Sequence, residues 1–231
     1  MRRYLSYYRR AISLLNEHLY IFLFTLILTE ANILFSYFAG TMRVQPVGIR
    51  IISFFIGLAV LSYLFIPVIL FNDALGKKRS SIIDIVKLMG KNILRTLKPA
   101  IFGGVFIIIC LAIIYRMSRP TNDLSQVTYL IILLSFLNPL FGYFGICYMV
   151  EKRSLVSSLT KSFSFSLHHF LFSFLPLPFL LINTVLVNNF VFDLNANIYL
   201  KLAYYALSSY IMLLITAAYL IYYRRYVLHK P

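Results

Sequence analysis

The chain has 231 residues, of which 61% are hydrophobic and only 13% are charged. Soluble globular proteins are usually about half apolar and about a quarter charged, so this composition excludes an ordinary soluble domain. The formal net charge of +15 comes from 22 lysines and arginines set against 7 acidic residues. The apolar residues fall in long blocks, which indicates an integral membrane protein.

Six apolar blocks follow one another along the chain, and each is long enough to cross a bilayer. A hydrocarbon core about 30 Å thick needs roughly 20 apolar residues in a helix. The predicted fold class is therefore all-α, a polytopic protein with six transmembrane helices in a single integral membrane domain, 1–231. The predicted spans are 18–40, 51–72, 99–116, 127–149, 168–192 and 202–223.

The basic residues are distributed unequally between the two predicted sides of the membrane. On one side lie 17 lysines and arginines, at the N-terminus, the C-terminus and in the connectors 73–98 and 150–167, while the other side holds 5. The positive-inside rule therefore predicts a multi-pass protein of the cell membrane with both termini in the cytoplasm. The first apolar block is longer than the apolar core of a secretory signal, so no cleavable signal is predicted.

Each pair of spans is preceded by a short basic and amphipathic stretch, which we call an elbow. The three elbows comprise residues 1–17, 77–99 and 151–169. In the second, Ile82, Ile85 and Met89 recur at helical spacing, opposite a charged stripe. This pattern predicts a helix lying flat on the cytoplasmic membrane surface.

The elbows supply the residues predicted to contact lipid headgroups. Attraction to anionic headgroups is worth about 1 kcal/mol per cation and accounts for the basic balance of the chain. The predicted partners are therefore the lipid bilayer and another membrane or cytoplasmic protein, and no nucleic acid. The predicted headgroup contacts are Lys77, Lys78, Arg79, Lys87, Lys91, Arg95, Lys152, Arg153 and Lys161.

The elbows also align with one another. An offset of 74 residues pairs Lys78 with Lys152 and Lys87 with Lys161, and the first elbow aligns less well with the second at an offset of 77. These alignments predict three parallel repeats of an elbow and a two-helix hairpin, at approximately 1–72, 73–149 and 150–223. The alternative, that apolar sequence of low complexity aligns easily with itself, stays open.

Glu30 lies near the midpoint of the first predicted span. A charge at the centre of a membrane helix costs about 2.5–3.5 kcal/mol, so Glu30 needs a partner on another helix, a wet cavity or a proton. Asn138, at the midpoint of the fourth span, is the best partner on depth, and Asn183 and Thr216 are further candidates. The predicted midplane site binds a proton, a cation or a polar substrate; the alternative is a protonated carboxyl that packs helices together.

Prolines and tyrosines mark the spans. Helix kinks are predicted at Pro67, Pro139, Pro176 and Pro178. Broken helices often line transport sites, although Pro is also common in ordinary membrane helices. Tyrosines close to span ends predict an aromatic belt at the membrane surface; they include Tyr4, Tyr7, Tyr8, Tyr219, Tyr222, Tyr223 and Tyr226.

The chain carries no recognised catalytic or phosphate-binding sequence motif. The adjacent His168 and His169 point to different sides of a helix, which favours anchoring at the membrane surface over metal binding. No catalytic residue, no metal site and no cofactor is therefore predicted.

The elbow-and-hairpin pattern, carried by residues 78–104 and 152–178 and above all by SLVSSLTKSFSFSLHHFLFS, resembles a known architecture. It is similar to the six-helix membrane domain fused to bacterial glycerophosphodiester phosphodiesterases and to related membrane proteins. The resemblance implies a bacterial or archaeal membrane domain. The hydrolase domain of that family has no counterpart in this sequence, so no catalytic residue carries over.

Three functions remain open. The first is a non-enzymatic membrane module that assembles with a partner protein or organises lipid. The second is a permease or ion-coupled transporter with its site around Glu30. The third is an intramembrane lipid-modifying enzyme.

Overall fold

A computed structural model of the chain describes residues 2–27, 30, 65–76, 137–182 and 198–228, together with some of the positions from 83 to 109. Helices are the only regular elements in these residues, which confirms the all-α class. One described helix, Tyr199–Val227, is long and apolar enough to cross a membrane, and the number rises to three if two bent helix pairs each form a span. Of the other three predicted spans, 51–72 and 99–116 lie largely outside the described residues, and 127–149 is described from 137 onwards.

The described helices are numbered here in chain order. They are α1 (Arg2–Glu17), α2 (Leu19–Ile27), α3 (Ile66–Leu75), α4 (137–149), α5 (Leu155–His168), α6 (Phe170–Ser173), α7 (177–182) and α8 (Ile198–Tyr223). A π-helical turn, Arg224–Leu228, follows α8. The chain forms two compact units: unit 1 is Met1–Ala100 with Asn197–Pro231, and unit 2 is Ile101–Ala196.

In unit 1, α1 packs along α8. The Tyr7 and Tyr222 rings meet edge to face with centroids 5.1 Å apart. One to two turns further along α1, Ala11 and Leu15 are fully buried. Near the end of α1 the Tyr210 hydroxyl donates to Asn16 Oδ1 at 3.2 Å. The contact between α1 and α8 is therefore aromatic in character, with a polar link at one end.

The tyrosines of this contact correct one sequence prediction. Tyr7, Tyr219, Tyr222 and Tyr223 are each at least 96% buried, so they form part of the core of unit 1. The prediction of an aromatic belt is wrong for these four. A tyrosine has an apolar ring and a polar tip, which suit a membrane surface and a helix contact equally well.

The short apolar helix α3 also packs against α8 and α1. Pro67 lies in its first turn, where the missing backbone N–H would have had no partner within the helix. Gly76 closes the helix, and its backbone N–H donates to the carbonyl of Asn72 at 3.1 Å. These two residues define a helix of ten residues whose C-terminal end lies close to α1.

In unit 2, α4 packs against α5. The Tyr143 and Phe165 rings lie 4.8 Å apart, and the Ser162 hydroxyl donates to the backbone carbonyl of Leu140. The serines at positions 158, 162 and 166 are fully buried on one face of α5. Small side chains that recur every four residues let another segment of the chain approach the helix backbone closely.

The start of α5 is set by its own sequence. Ser154 has an extended backbone, and its hydroxyl accepts from the N–H of Ser157, which is the N-cap arrangement that satisfies an otherwise unpaired donor. Lys152, just before it, has a left-handed backbone with φ of 57°. The turn between α4 and α5 is therefore tight, and it places the preceding charged residues beside the first turn of α5.

Two sharp bends separate the predicted elbows from the predicted spans. The axes of α1 and α2 meet at 77°, with His18 between them. The axis of α5 and that of the helical segment Phe170–Ile182 meet at 99°, with His169 between them. Each bend lies within two residues of the boundary predicted from composition, 17/18 in one case and 167/168 in the other.

Ala11 provides a test of the contact between α1 and α8. Because Ala11 is fully buried, Ala11→Leu inserts three extra carbons into a packed interface, and we expect a loss of about 1–3 kcal/mol of stability. Thermal melting of the purified chain in detergent measures this loss. The control Ser13→Leu adds a similar side chain at an exposed position of the same helix. Equal melting temperatures for the two variants would contradict the packing.

Candidate functional site: the elbow helices

The first elbow helix, α1, has three distinct faces. One face is buried and carries Tyr7, Ala11 and Leu15. A second face is apolar but exposed: Leu5 is 54% and Ile12 is 41% accessible, and the two lie seven residues, or about two turns, apart. The third face is polar and exposed, and it carries Arg3, Arg9, Arg10, Ser13 and Glu17.

The third elbow helix, α5, is divided in the same way. Its buried face carries Ser158, Ser162 and Ser166, with Phe165 beside them. Its exposed apolar face carries Val156 and Phe163, which are 74% and 54% accessible. Its exposed polar positions include Thr160, Ser164 and His168.

The faces of the two helices coincide residue by residue. An offset of 151, the sum of the two offsets found in the sequence, brings the exposed apolar Leu5 onto Val156 and Ile12 onto Phe163. The same offset brings the bend at His18 onto the bend at His169. The buried positions pair as Tyr7 with Ser158, Ala11 with Ser162, Leu14 with Phe165, Leu15 with Ser166 and Ile21 with Phe172. The first and third elbows are therefore equivalent in structure.

The second elbow does not show the same buried face at the predicted offset. Its described positions from 83 to 99 are helical, but those that correspond to the buried face of α1 are exposed or half-buried: Asp84, Leu88, Lys91 and Asn92. Its apolar residues Ile82, Ile85 and Met89 lie outside the described residues. By sequence, the second and third elbows are the most similar pair. By the pattern of buried positions, the first and third elbows match.

The predicted headgroup residues lie in different surroundings. Lys161 Nζ is 2.7 and 2.8 Å from the two carboxyl oxygens of Glu151, and Arg153 also pairs with Glu151. Lys152 is exposed in the turn before α5. In the second elbow Lys87 and Lys91 are exposed and Arg95 is half-buried, while Lys77, Lys78 and Arg79 lie outside the described residues. The charges of Arg153 and Lys161 are therefore partly neutralised within the protein.

The residues of the predicted midplane site are distributed between the two units. Glu30 and Thr216 belong to unit 1 and Asn138 to unit 2, while Asn183 lies outside the described residues. The Thr216 hydroxyl donates to the Met212 carbonyl of its own helix at 2.9 Å. Asn138 is half-buried near the start of α4.

Glu30 lies beside a residue that the sequence did not single out. Its carboxyl interacts electrostatically with the phenol of Tyr205 on α8, and its Oε2 is buried without a hydrogen-bond partner among the described residues. Thr216 lies eleven residues further along α8, which is about 16 Å of helix rise. Tyr205 is therefore a residue of α8 close enough to Glu30 to interact with it electrostatically.

The remaining predicted kinks lie in unit 2. Pro139 is buried in the first described turn of α4. Pro176 is buried in the turn between α6 and α7, and its carbonyl accepts from the N–H of Leu180 at 3.0 Å. Pro178 is exposed in the first turn of α7. The sharp bend of this segment lies earlier, at His169, whose ring packs 4.3 Å from that of Phe165.

Comparison with known proteins gives no relative: no protein-family model, curated protein or solved structure matches the chain. In the part of the chain that the structure describes, no three His, Cys, Asp or Glu side chains converge as a metal site requires.

The Glu151 cluster gives a prediction about charge pairing. Glu151→Gln leaves Lys161 without its carboxylate, so we expect stability to fall by roughly 1–3 kcal/mol, between the values for exposed and buried pairs. Glu151→Gln with Lys161→Gln removes both charges and should recover part of that loss. Thermal melting in detergent measures both variants, with Glu17→Gln on the exposed face of α1 as the control. A double variant less stable than Glu151→Gln alone would contradict the pairing.

Proposed function

We propose that the chain is a non-enzymatic, multi-pass module of the cell membrane, with both termini in the cytoplasm, whose elbow helices lie in the cytoplasmic leaflet and organise lipid there. The observation that carries the proposal is the division of α1 and α5 into a buried face, an exposed apolar face and an exposed polar face. On this proposal the architecture is that of the membrane domains which the sequence resembles.

A helix in the membrane interface meets three environments at once, and the faces of the elbows correspond to them. The buried face contacts protein, the apolar face contacts acyl chains, and the polar face contacts headgroups and water. Moving a side chain such as Phe163 from water into hydrocarbon is worth about 1–2 kcal/mol for the part that is exposed. Such exposed apolar rows would be unfavourable in water, which supports placement in lipid.

The bends at His18 and His169 fit the same placement. A helix in the membrane plane must turn by roughly a right angle to continue into a transmembrane helix, and the observed angles are 77° and 99°. The helix α8 has 26 residues and is about 39 Å long at 1.5 Å per residue, which is enough to cross a core about 30 Å thick.

Proteolysis of the third elbow tests the proposal. This elbow contains the trypsin sites Arg153 and Lys161, and we expect trypsin to cut it slowly in inside-out proteoliposomes because α5 is held in the leaflet. Phe163→Asp places a carboxylate on the apolar face, so it should release the elbow and raise the cleavage rate about tenfold or more. Mass spectrometry of the fragments gives the rate.

The matched control is Ser164→Asp, which adds the same charge one residue away on the exposed polar face. Equal cleavage rates for Phe163→Asp and Ser164→Asp would contradict the placement of α5 in lipid. Cleavage of this elbow in right-side-out vesicles would contradict its cytoplasmic location. A protein that co-purifies with wild type but not with the Phe163→Asp variant would indicate assembly with a partner in addition to lipid contact.

A permease or ion-coupled transporter is the second candidate, and the buried Oε2 of Glu30 favours it. A carboxyl oxygen that lacks a hydrogen-bond partner among the described residues is free to take a proton or to bind a cation or a polar substrate. Tyr205 lies near enough to interact with any charge held there.

Two substitutions of Glu30 separate a transport role from a packing role. Glu30→Gln keeps the shape and hydrogen bonding but cannot titrate, whereas Glu30→Leu removes both properties. If the chain is a proton-coupled transporter, both variants in proteoliposomes should lose the substrate uptake that a proton gradient drives. A packing role predicts that Glu30→Gln retains the wild-type melting temperature and the proton permeability of the wild-type vesicles.

A further inference from the structure

A pocket of about 380 Å³ lies in unit 1 where the first elbow, the C-terminal end of α3 and the C-terminal end of α8 meet. All three segments belong to the side of the membrane predicted to be cytoplasmic. The described residues that line it are Tyr7, Arg10, Leu75, Ile221, Arg224 and Arg225. Three positively charged side chains, Arg10 from the first elbow and the consecutive Arg224 and Arg225 from the C-terminal end of the chain's last helix, are thus brought to one cavity.

The positive charge of this pocket is not neutralised by the described residues. None of its described lining residues is acidic, and Arg10, Arg224 and Arg225 form no ion pair with another residue in the part of the chain that the structure describes. The equivalent of Arg10 in the third elbow, Lys161, pairs with Glu151 instead. Three like charges in one cavity repel one another, so a bound anion lowers the energy of the pocket.

Two of the guanidinium groups are held in place by other contacts. Arg224 Nη1 donates to the backbone carbonyl and to the Oδ1 of Asn72 at 3.3 and 3.4 Å. The Arg225 guanidinium lies over the Tyr7 ring, 5.9 Å from its centroid. The π-helical turn that begins at Arg224 places these consecutive residues at the same cavity, and such turns are frequent at functional sites.

Tyr7 contributes a neutral polar group to the same wall. Burial raises the pKa of its phenol, as does the neighbouring Tyr226, whereas Arg225 and Arg3 lower it. Because the net direction is upward from an already high value, the phenol keeps its proton at neutral pH. Tyr7 therefore adds no negative charge that would oppose an anion.

A second pocket of about 260 Å³ shares Arg10 and Leu75 with the first and also includes Ser13, Glu17 and His18. The Glu17 carboxylate accepts a hydrogen bond from the Ser13 hydroxyl at 2.7 Å. A carboxylate there repels a second anionic group but accepts hydrogen bonds from hydroxyl or amine groups. The two pockets together fit one phosphate with a polar, hydrogen-bond-donating group beside it.

We propose that the arginine pocket formed by Arg10, Arg224 and Arg225 binds a phosphate group, carried either by the headgroup of an anionic phospholipid or by phosphate in solution. Planar guanidinium groups match phosphate oxygens in pairs and suit this role better than lysines. Basic pockets between membrane helices on the cytoplasmic side are typical sites for anionic headgroups. This inference rests on the proposed function, because it names the lipid chemistry recognised beside the first elbow.

The test uses the full chain in phosphatidylcholine nanodiscs that contain phosphatidylglycerol, with native mass spectrometry to count the phosphatidylglycerol molecules retained. Arg10→Gln with Arg225→Gln removes two charges from the pocket, and we expect retention to weaken about tenfold or more. Arg10→Lys with Arg225→Lys keeps the charges but loses the paired geometry, so its retention should lie between those of wild type and the glutamine variant.

The matched control is Arg9→Gln with Lys152→Gln, which removes the same charge from exposed elbow positions that do not line the pocket. Because these two side chains contact headgroups only at the exposed surface, outside the cavity, it should lose far less phosphatidylglycerol than the pocket variant does. Equal loss in the control and the pocket variant would overturn the inference, because charge alone would then explain retention. The melting temperature of each variant in detergent shows whether it remains folded. If the glutamine variant does not fold, the lysine variant, which keeps the full charge, carries the test.

A second arm distinguishes the two sources of phosphate. Calorimetric titration of lipid-free chain in detergent with inorganic phosphate gives binding that depends on Arg10 and Arg225 if the ligand is soluble phosphate. Binding of phosphatidylglycerol alone assigns the pocket to a lipid headgroup, and binding of neither overturns the proposal. If the pocket binds neither ligand, trypsin should still cut the third elbow slowly. Failure of the pocket proposal can therefore be distinguished from failure of the proposed function.

Discussion

The proposed placement depends on one constraint: the elbow helices α1 and α5 each have to contact protein, acyl chains and water on three sides at the same time. Successive residues of an α-helix lie about 100° apart around its axis, so three consecutive residues can meet three different environments. In α1 these faces are represented by Ala11, Ile12 and Ser13, three consecutive residues that are buried, exposed and apolar, and exposed and polar. On the proposed placement, Ala11 meets protein, Ile12 meets acyl chains and Ser13 meets water.

The same constraint explains the bends and the core of unit 1. A helix whose apolar face lies along the membrane surface cannot continue straight into the bilayer, and the sharp turns at His18 and at His169 meet this requirement of the proposed placement. The buried face of α1 packs against the end of α8, the helix long and apolar enough to span, through Tyr7 and Tyr222. That packing brings the first elbow to the end of α8, and with it Arg10 to Arg224.

The elbow boundaries and the long C-terminal helix could be predicted, because composition changes sharply at positions 17 and 167 and the last apolar block is unbroken. The buried face of α5 could not: Ser158 and Ser162 look polar in sequence, yet they are buried because their small size permits close packing. Neither Tyr205 beside Glu30 nor the meeting of Arg10 with Arg224 leaves a sequence signal, since each depends on a tertiary contact between distant segments. The first and third elbows are equivalent in their buried positions and in the position of the bend, more than in residue identity. Sequence alignment therefore paired the second elbow with the third instead.

The most direct test of the three-faced elbow is a spin-label scan of α1 and α5 in proteoliposomes, on a background lacking Cys110 and Cys147. Electron paramagnetic resonance then measures how readily each label collides with oxygen, which concentrates in acyl chains, and with a water-soluble nickel chelate. Labels at Leu5 and Phe163 should favour oxygen and those at Ser13 and Ser164 the chelate, with a helical period between them. Equal accessibility to the chelate at all four positions would contradict the account, because the exposed apolar faces would then lie in water.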